Sequence, residues 1–368
     1  MTISKNTPWA WIAFPALAIL FVFISPLLGV GKLPLTSPVS LFSSAVMIVI
    51  MMGTVFAAVY HAELIAVRAG EPFGTLVLTL AVTVIEVALI ASLLLMPNAS
   101  ATLARDTVFA VVMIVCNGLV GLCVLLGGIR YREQEFKTEG TGVYLIVLAT
   151  LAVLGLVLPN YTLTTPGPYF STAQLVFVSI IIVLLYGVFL FIQTMKHREY
   201  FVLLNPSAPR KKAYRPNDRA VLISFGLLIV ALAGVVLIAK KFAVLVGAGL
   251  DLAGAPQAVA GVIIAMVVLA PESISAVRAA QQNMLPKSLN LALGSSLATI
   301  GLTIPAVAIA SIFLGKGMAL GLSARDTLLL ALTLFISLLT FGTGRTNSLY
   351  GLVHLVVFAA FLFLTFIP

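Results

Sequence analysis

The chain has 368 residues, of which 61% are hydrophobic and only 9% charged, and its formal net charge is +9. A soluble domain carries about 25% charged residues, so this composition excludes a water-facing surface all round and makes lipid the solvent. The positive balance does not mark a nucleic-acid binder, because the basic residues lie almost wholly between apolar runs, and P-loop, HExxH and GxSxG patterns are absent.

Apolar runs of spanning length fall at roughly 9–30, 38–60, 73–96, 107–129, 142–159, 171–195, 220–239, 253–277, 288–314, 326–342 and 348–367. Each is near the ~20 residues that carry a helix across the hydrocarbon. Period-2 alternation is absent, so helices rather than barrel strands are expected. The first run, Pro8–Val30, exceeds a signal-peptide core and no small-x-small cleavage pattern follows it, so it counts as a span. Cys116 and Cys123, inside the fourth run, read as small core residues.

Lys196–Arg219 is the one long polar stretch, with seven basic residues, two acidic ones and three prolines. It reads as a solvated basic hinge. With the N-terminus inside, 15 Lys and Arg residues fall on one side and 6 on the other. That bias puts the N-terminus and the linker in the cytoplasm and the C-terminus outside. The expected fold is an all-α polytopic membrane protein of about eleven transmembrane helices. Its parts are residues 1–36 (N-terminus and orphan helix 1), 37–195 (first five-helix repeat), 196–219 (basic cytoplasmic linker) and 220–368 (second five-helix repeat). Elements five helices apart run in opposite directions, so the two repeats are inverted, a design common in secondary transporters.

Of the twelve carboxylates, only Glu86 and Glu272 stand well inside apolar segments. A charge at mid-membrane costs about 2.5–3.5 kcal/mol even on the lenient insertion scale, so such residues face a cavity, a partner or an ion. The two sit on the third and eighth runs, five apart, in matching positions of the two repeats. A pseudo-two-fold axis would bring them together at the midplane. Pro271 breaks the helix beside Glu272 and frees a carbonyl one turn back. Carbonyl and carboxylate oxygens suit a hard cation, which makes Glu86 and Glu272 the expected metal ligands. Gly294 permits close backbone approach, and Ser295, Ser296 and Asn117 add neutral oxygens. Thr83, Ser273 and Thr299 complete the candidate cation- and proton-binding set. Small and hydroxyl residues also serve ordinary helix packing, and His354, with no acidic neighbour in sequence, reads as a packing histidine.

These segments resemble the calcium/cation antiporter superfamily in its cation/proton exchanger (CAX) branch. The family's N-A-T-x-G-N-x-x-E-L is matched by LTLAVTVIEV, which keeps Glu86. Its G-S-x-L-S-N helix, followed by GG and Q-x-F, is matched by Asn117, Gly127-Gly128 and Gln134-Glu135-Phe136. Its G-N-A-A-E-H and G-S-S-x-Q-I-A-x-x-x-x-P are matched by VLAPES, with Glu272, and by GSSLATIGLTIP, with Gly294, Ser295, Ser296 and Pro305. The family glutamine is Ala298 here. GRTNSLYGLVHL is similar to the family's final G-K/R-S/T-N-x-x-x-G.

The resemblance implies a secondary active antiporter, not an enzyme, in the multi-pass bacterial inner membrane. Its substrates would be Ca²⁺, Na⁺, K⁺ and H⁺, with no cofactor. Its partners would be inorganic cations, protons and the lipid bilayer, with no nucleic acid, and a homo-oligomer is compatible with the sequence. A cation channel with an acidic midplane site is the alternative; it would conduct with no ΔpH requirement.

Overall fold

The computed structural model describes residues 9–26, 37–70, 73–95, 100–201, 216–315 and 317–368. Eleven apolar helices run through them: α1 (Ala10–Ile24), α2 (Pro38–Ala69), α3 (Phe73–Leu94), α4 (Leu103–Tyr131), α5 (Thr138–Tyr161), α6 (Thr172–Lys196), α7 (Asp218–Ala253), α8 (Ala258–Gln281), α9 (Leu285–Phe313), α10 (Ala324–Phe341) and α11 (Ser348–Phe366). All but α1 are long and apolar enough to cross a membrane. The starts are chemically marked. Ser37 caps α2 with Pro38 in its first turn, Ser171 and Gln174 form a capping box on α6, and Asn217, Ser323 and Asn347 cap α7, α10 and α11. Large apolar side chains such as Leu222 (72% exposed) and Val356 (67%) point outward, as lipid-facing helices require.

Every predicted run has its helix, but three differ in extent. Helix α1 is 15 residues long and contains Pro15. Helix α2 continues to Ala69, so His61, expected at a span end, is fully buried inside it. Helix α7 continues to Ala253 through Lys240 and Lys241, which the sequence placed in a loop. Its 36 residues reach about 54 Å at 1.5 Å per residue, well beyond the ~30 Å hydrocarbon, so charged residues fit on it outside the lipid.

Some features recur five helices apart, although π turns also occur in α5 (Val153–Val157) and α6 (Ile192–Lys196). The second and seventh helices are the longest, at 32 and 36 residues. The fourth and ninth are each interrupted near the middle by a π turn, Ile114–Leu119 and Thr299–Thr303. The compact units do not follow the sequence halves: one holds residues 1–100 and 208–260, the other 101–207 and 261–368.

In the first unit, α2 and α7 pack on each other and both receive α1 and α3. Trp11 of α1 stacks on Tyr60 at 5.8 Å, and His61 bridges Ser224 Oγ (3.2 Å) and the Trp11 carbonyl (3.4 Å). Arg68 pairs with Asp218 at the ends of α2 and α7.

In the second unit, α4 packs between α9 and α11. Gly121 of α4 and Gly351 of α11 let the two backbones touch: a Cβ on Gly351 would lie 2.5 Å from the Leu125 nitrogen. A two-stranded antiparallel ribbon, β1 (Glu133–Glu135) with β2 (Arg345–Asn347), ties the ends of these helices together. The start of the polar linker is docked rather than solvated. Phe201 is buried against Tyr144 and Phe189, and its carbonyl accepts the Asn290 amide. Residues 202–215, with Arg210, Lys211 and Lys212, lie outside the described residues, as do Lys5, Lys32 and Lys316.

Candidate functional site

Glu272 lies near the middle of α8, one residue after Pro271, which leaves the Val267 carbonyl without its usual amide partner. The Glu272 side chain is half-buried and its Oε2 accepts the hydroxyl of Ser295 from α9. A hydroxyl donated to a carboxylate is stronger than a neutral pair, so this contact fixes one carboxylate oxygen. Thr299 follows one turn after Ser295, buried at the first position of the π turn. Gly294 and Ser273 flank the pair at intermediate exposure.

The π turn has a local cause. Pro305 lacks the amide that would bond the Gly301 carbonyl four residues back, and a wider turn accommodates the missing bond. Gly301 there sits under the Tyr186 ring, where a Cβ would come within 2.6 Å. The π turn of α4 packs on the first half of α9, with Cys116 beside Ser296 and Cys123 beside Ser288. Both thiols are free and buried. Ser296 Oγ is fully buried beside the Cys116 thiol.

Asn117 is brought to the same unit but is engaged elsewhere. Its amide nitrogen donates to Thr333 Oγ1 at 2.8 Å and its oxygen lies 3.1 Å from His354 Nδ1. Thr333 and Thr340, on α10, carried no signal in the sequence, and His354 is a buried, satisfied histidine with both its ring nitrogens in hydrogen bonds. Glu86 and Thr83 stand in the first unit, on α3. Glu86 is 1% exposed and Thr83, three residues earlier on the same helix face, 9%. The structure thus joins Glu272 to Ser295, and Asn117 to His354.

The sodium/calcium exchanger protein family matches this chain over residues 39–195 and 223–367. The chain is 45% identical to the y4hA protein of Sinorhizobium fredii (strain NBRC 101917 / NGR234), over 99% of this chain and 98% of that one. It is 36% identical to the sodium-potassium/proton antiporter ChaA of Escherichia coli (strain K12), over 96% and 95%. The fold is similar to that of the Ca²⁺/H⁺ antiporter protein YfkE, with a TM-score of 0.69 at 20% identity over 97% of this chain and 99% of that one. These matches make the chain a multi-pass membrane transporter, a cation/proton or sodium/calcium exchanger rather than an enzyme. It belongs to the sodium/calcium exchanger protein family, within the calcium/cation antiporter superfamily and with cation/proton exchangers among its relatives.

Proposed function

We propose that this protein exports Ca²⁺, Na⁺ or K⁺ from the cytoplasm of a bacterium in exchange for protons, with Glu86 and Glu272 as the carboxylates that carry either cation or proton. The observation that carries the reading is Glu272 itself: a carboxylate in the middle of a spanning helix, beside a proline-freed carbonyl, with one oxygen held by Ser295. A carboxylate removed from water favours its protonated form, and a bound cation favours the ionised form. The two therefore compete for the same oxygens. Two ionised glutamates neutralise one divalent ion, and a monovalent ion binds with one glutamate still protonated. Exchange follows when the empty, doubly charged site is barred from crossing and the repeats rock around the loaded one.

Ca²⁺, Na⁺ and K⁺ added in turn to acid-loaded inside-out vesicles test this. At least one should collapse ΔpH in a saturable way. Cation flux that proceeds equally without a proton gradient or proton counterflow would instead identify a channel.

The same reading places the N-terminus in the cytoplasm and the C-terminus in the periplasm, on the basic-residue bias. A reporter fused after Pro368 should be active only outside, and one inserted within 205–215 only inside. Activity of both on one side would overturn the eleven-span topology.

A further inference from the structure

The second unit contains a fully buried chain of hydrogen bonds that the mechanism above does not use. Thr340, His354, Asn117 and Thr333 are 2%, 0%, 0% and 0% exposed. They come from α10, α11, α4 and α10 in that order. Thr333 donates its hydroxyl to the Leu329 carbonyl at 2.7 Å, so its oxygen accepts the Asn117 amide at 2.8 Å. That orients the Asn117 amide and turns its oxygen toward His354. An amide oxygen only accepts, so the Nδ1 facing it at 3.1 Å must carry the hydrogen. Nε2 then accepts from the Thr340 hydroxyl at 3.0 Å. Each donor meets an acceptor with the imidazole neutral in its Nδ1–H form.

We propose that His354 is a positioning residue for the Glu272 site. It acts through Asn117, which it locks in one orientation at the centre of the α4 π turn Ile114–Leu119. That turn packs on the half of α9 that carries Ser295, and Ser295 holds Glu272. Gly121 and Gly351 bring α4 and α11 close enough for the imidazole to reach, with the His354 Cβ 3.0 Å from where a Gly121 side chain would start. A buried network with every member satisfied specifies one arrangement, and leaving one member unsatisfied is costly. His354 is therefore a fixed donor, not a proton carrier. The inference rests on the exchanger reading.

The test separates the two ring nitrogens. His354→Asn places an amide nitrogen where Nδ1 stood and keeps the donor to Asn117. His354→Gln places its amide near Nε2 and leaves the Asn117 oxygen without a donor. In cation titrations of proton flux, His354→Gln should raise KM about tenfold, about 1.4 kcal/mol, with Vmax within about twofold of wild type, since an undonated buried acceptor misorients the site without removing it. His354→Asn should stay within about threefold of the wild-type KM, a difference of about 0.65 kcal/mol. Thr333→Val, which withdraws the acceptor on the other side of Asn117, should shift KM in the same direction as His354→Gln and guards against a variant that merely fails to fold. Equal KM values for the Asn and Gln variants, or losses of Vmax at unchanged KM in all three, would overturn the proposal while leaving the exchanger intact. A wild type with no cation-dependent proton flux would overturn both.

Discussion

Glu86→Gln and Glu272→Gln should each abolish coupled exchange of Ca²⁺ for protons while leaving the protein at least as well inserted as wild type. Glutamine keeps the shape and one hydrogen-bond acceptor, and a neutral amide costs less to bury than an ionised carboxylate. What it removes is the second negative charge that a divalent ion needs. Breaking a buried charge pair from one side costs about 3–5 kcal/mol, so a loss of about a hundredfold or more is expected, with Na⁺ or K⁺ exchange affected less. For Glu272→Gln the Ser295 hydroxyl still finds an acceptor, so the fall should not be accompanied by a change in thermal stability. Glu133→Gln and Glu139→Gln, both on exposed side chains, should retain most activity. The measurement is cation-induced ΔpH collapse in inside-out vesicles at matched expression. Robust Ca²⁺/proton exchange by either buried-site variant would remove its carboxylate from the mechanism.

The largest effect on stability is expected from Gly351→Ala. A methyl group there would lie 2.5 Å from the Leu125 nitrogen, 2.7 Å from the Gly121 oxygen and 2.8 Å from the Leu125 Cα. All three are backbone atoms, so no side chain can swing aside and α11 must move off α4. Overpacking of this kind typically costs about 1–3 kcal/mol, and close backbone approach is what holds such helices together in lipid. The separation would also stretch the His354–Asn117 contact, so transport should fall with stability. Gly187→Ala, in α6 with nothing within 4 Å of the new methyl, should be neutral or stabilising by about 0.5–1 kcal/mol, because alanine is the better helix former. Thermal inactivation midpoints of the two purified proteins in detergent provide the comparison. An unchanged midpoint for Gly351→Ala would mean that α4 and α11 are not in the contact described.

Length and apolarity made the spans legible, because a helix crossing lipid must be apolar for about 20 residues whatever its neighbours. The same criterion failed at α7. Lys240-Lys241 looked like a loop, yet a helix leaving the hydrocarbon continues through charges at no cost. The π turns were invisible for a related reason. Where nearly every residue is apolar there is no polar contrast from which to read a helix period, so a change in winding leaves no trace, and only Pro305 hinted at one. At the candidate site, Glu272 stood out as a charge where none is cheap, and Ser295 as a hydroxyl beside a glycine in an apolar run. The partners of Asn117 could not be read in the same way. Thr333 is 216 residues away and His354 237, and nothing local distinguishes a threonine that meets an asparagine from one that bonds its own helix.

The paired π turns also set how α4 and α9 respond to changes in chain length. A π turn closes over five residues instead of four and so holds one residue more than an α-helical turn. In α4 and α9 the side chains before and after it are out of phase with a single uninterrupted helix by roughly 100°, one residue's rotation at 3.6 per turn. Deleting one residue from Ile114–Leu119 or Thr299–Thr303 would let the turn revert to α-helical winding with little loss of length, yet turn one half of the helix against the other. In α4 that rotation would turn Asn117 away from the His354 side that it now shares with Gly121, and in α9 it would divide Ser295 from the segment beyond Pro305. The spare residue is a fixed angular offset, and it lets one span present two differently aimed faces to its neighbours.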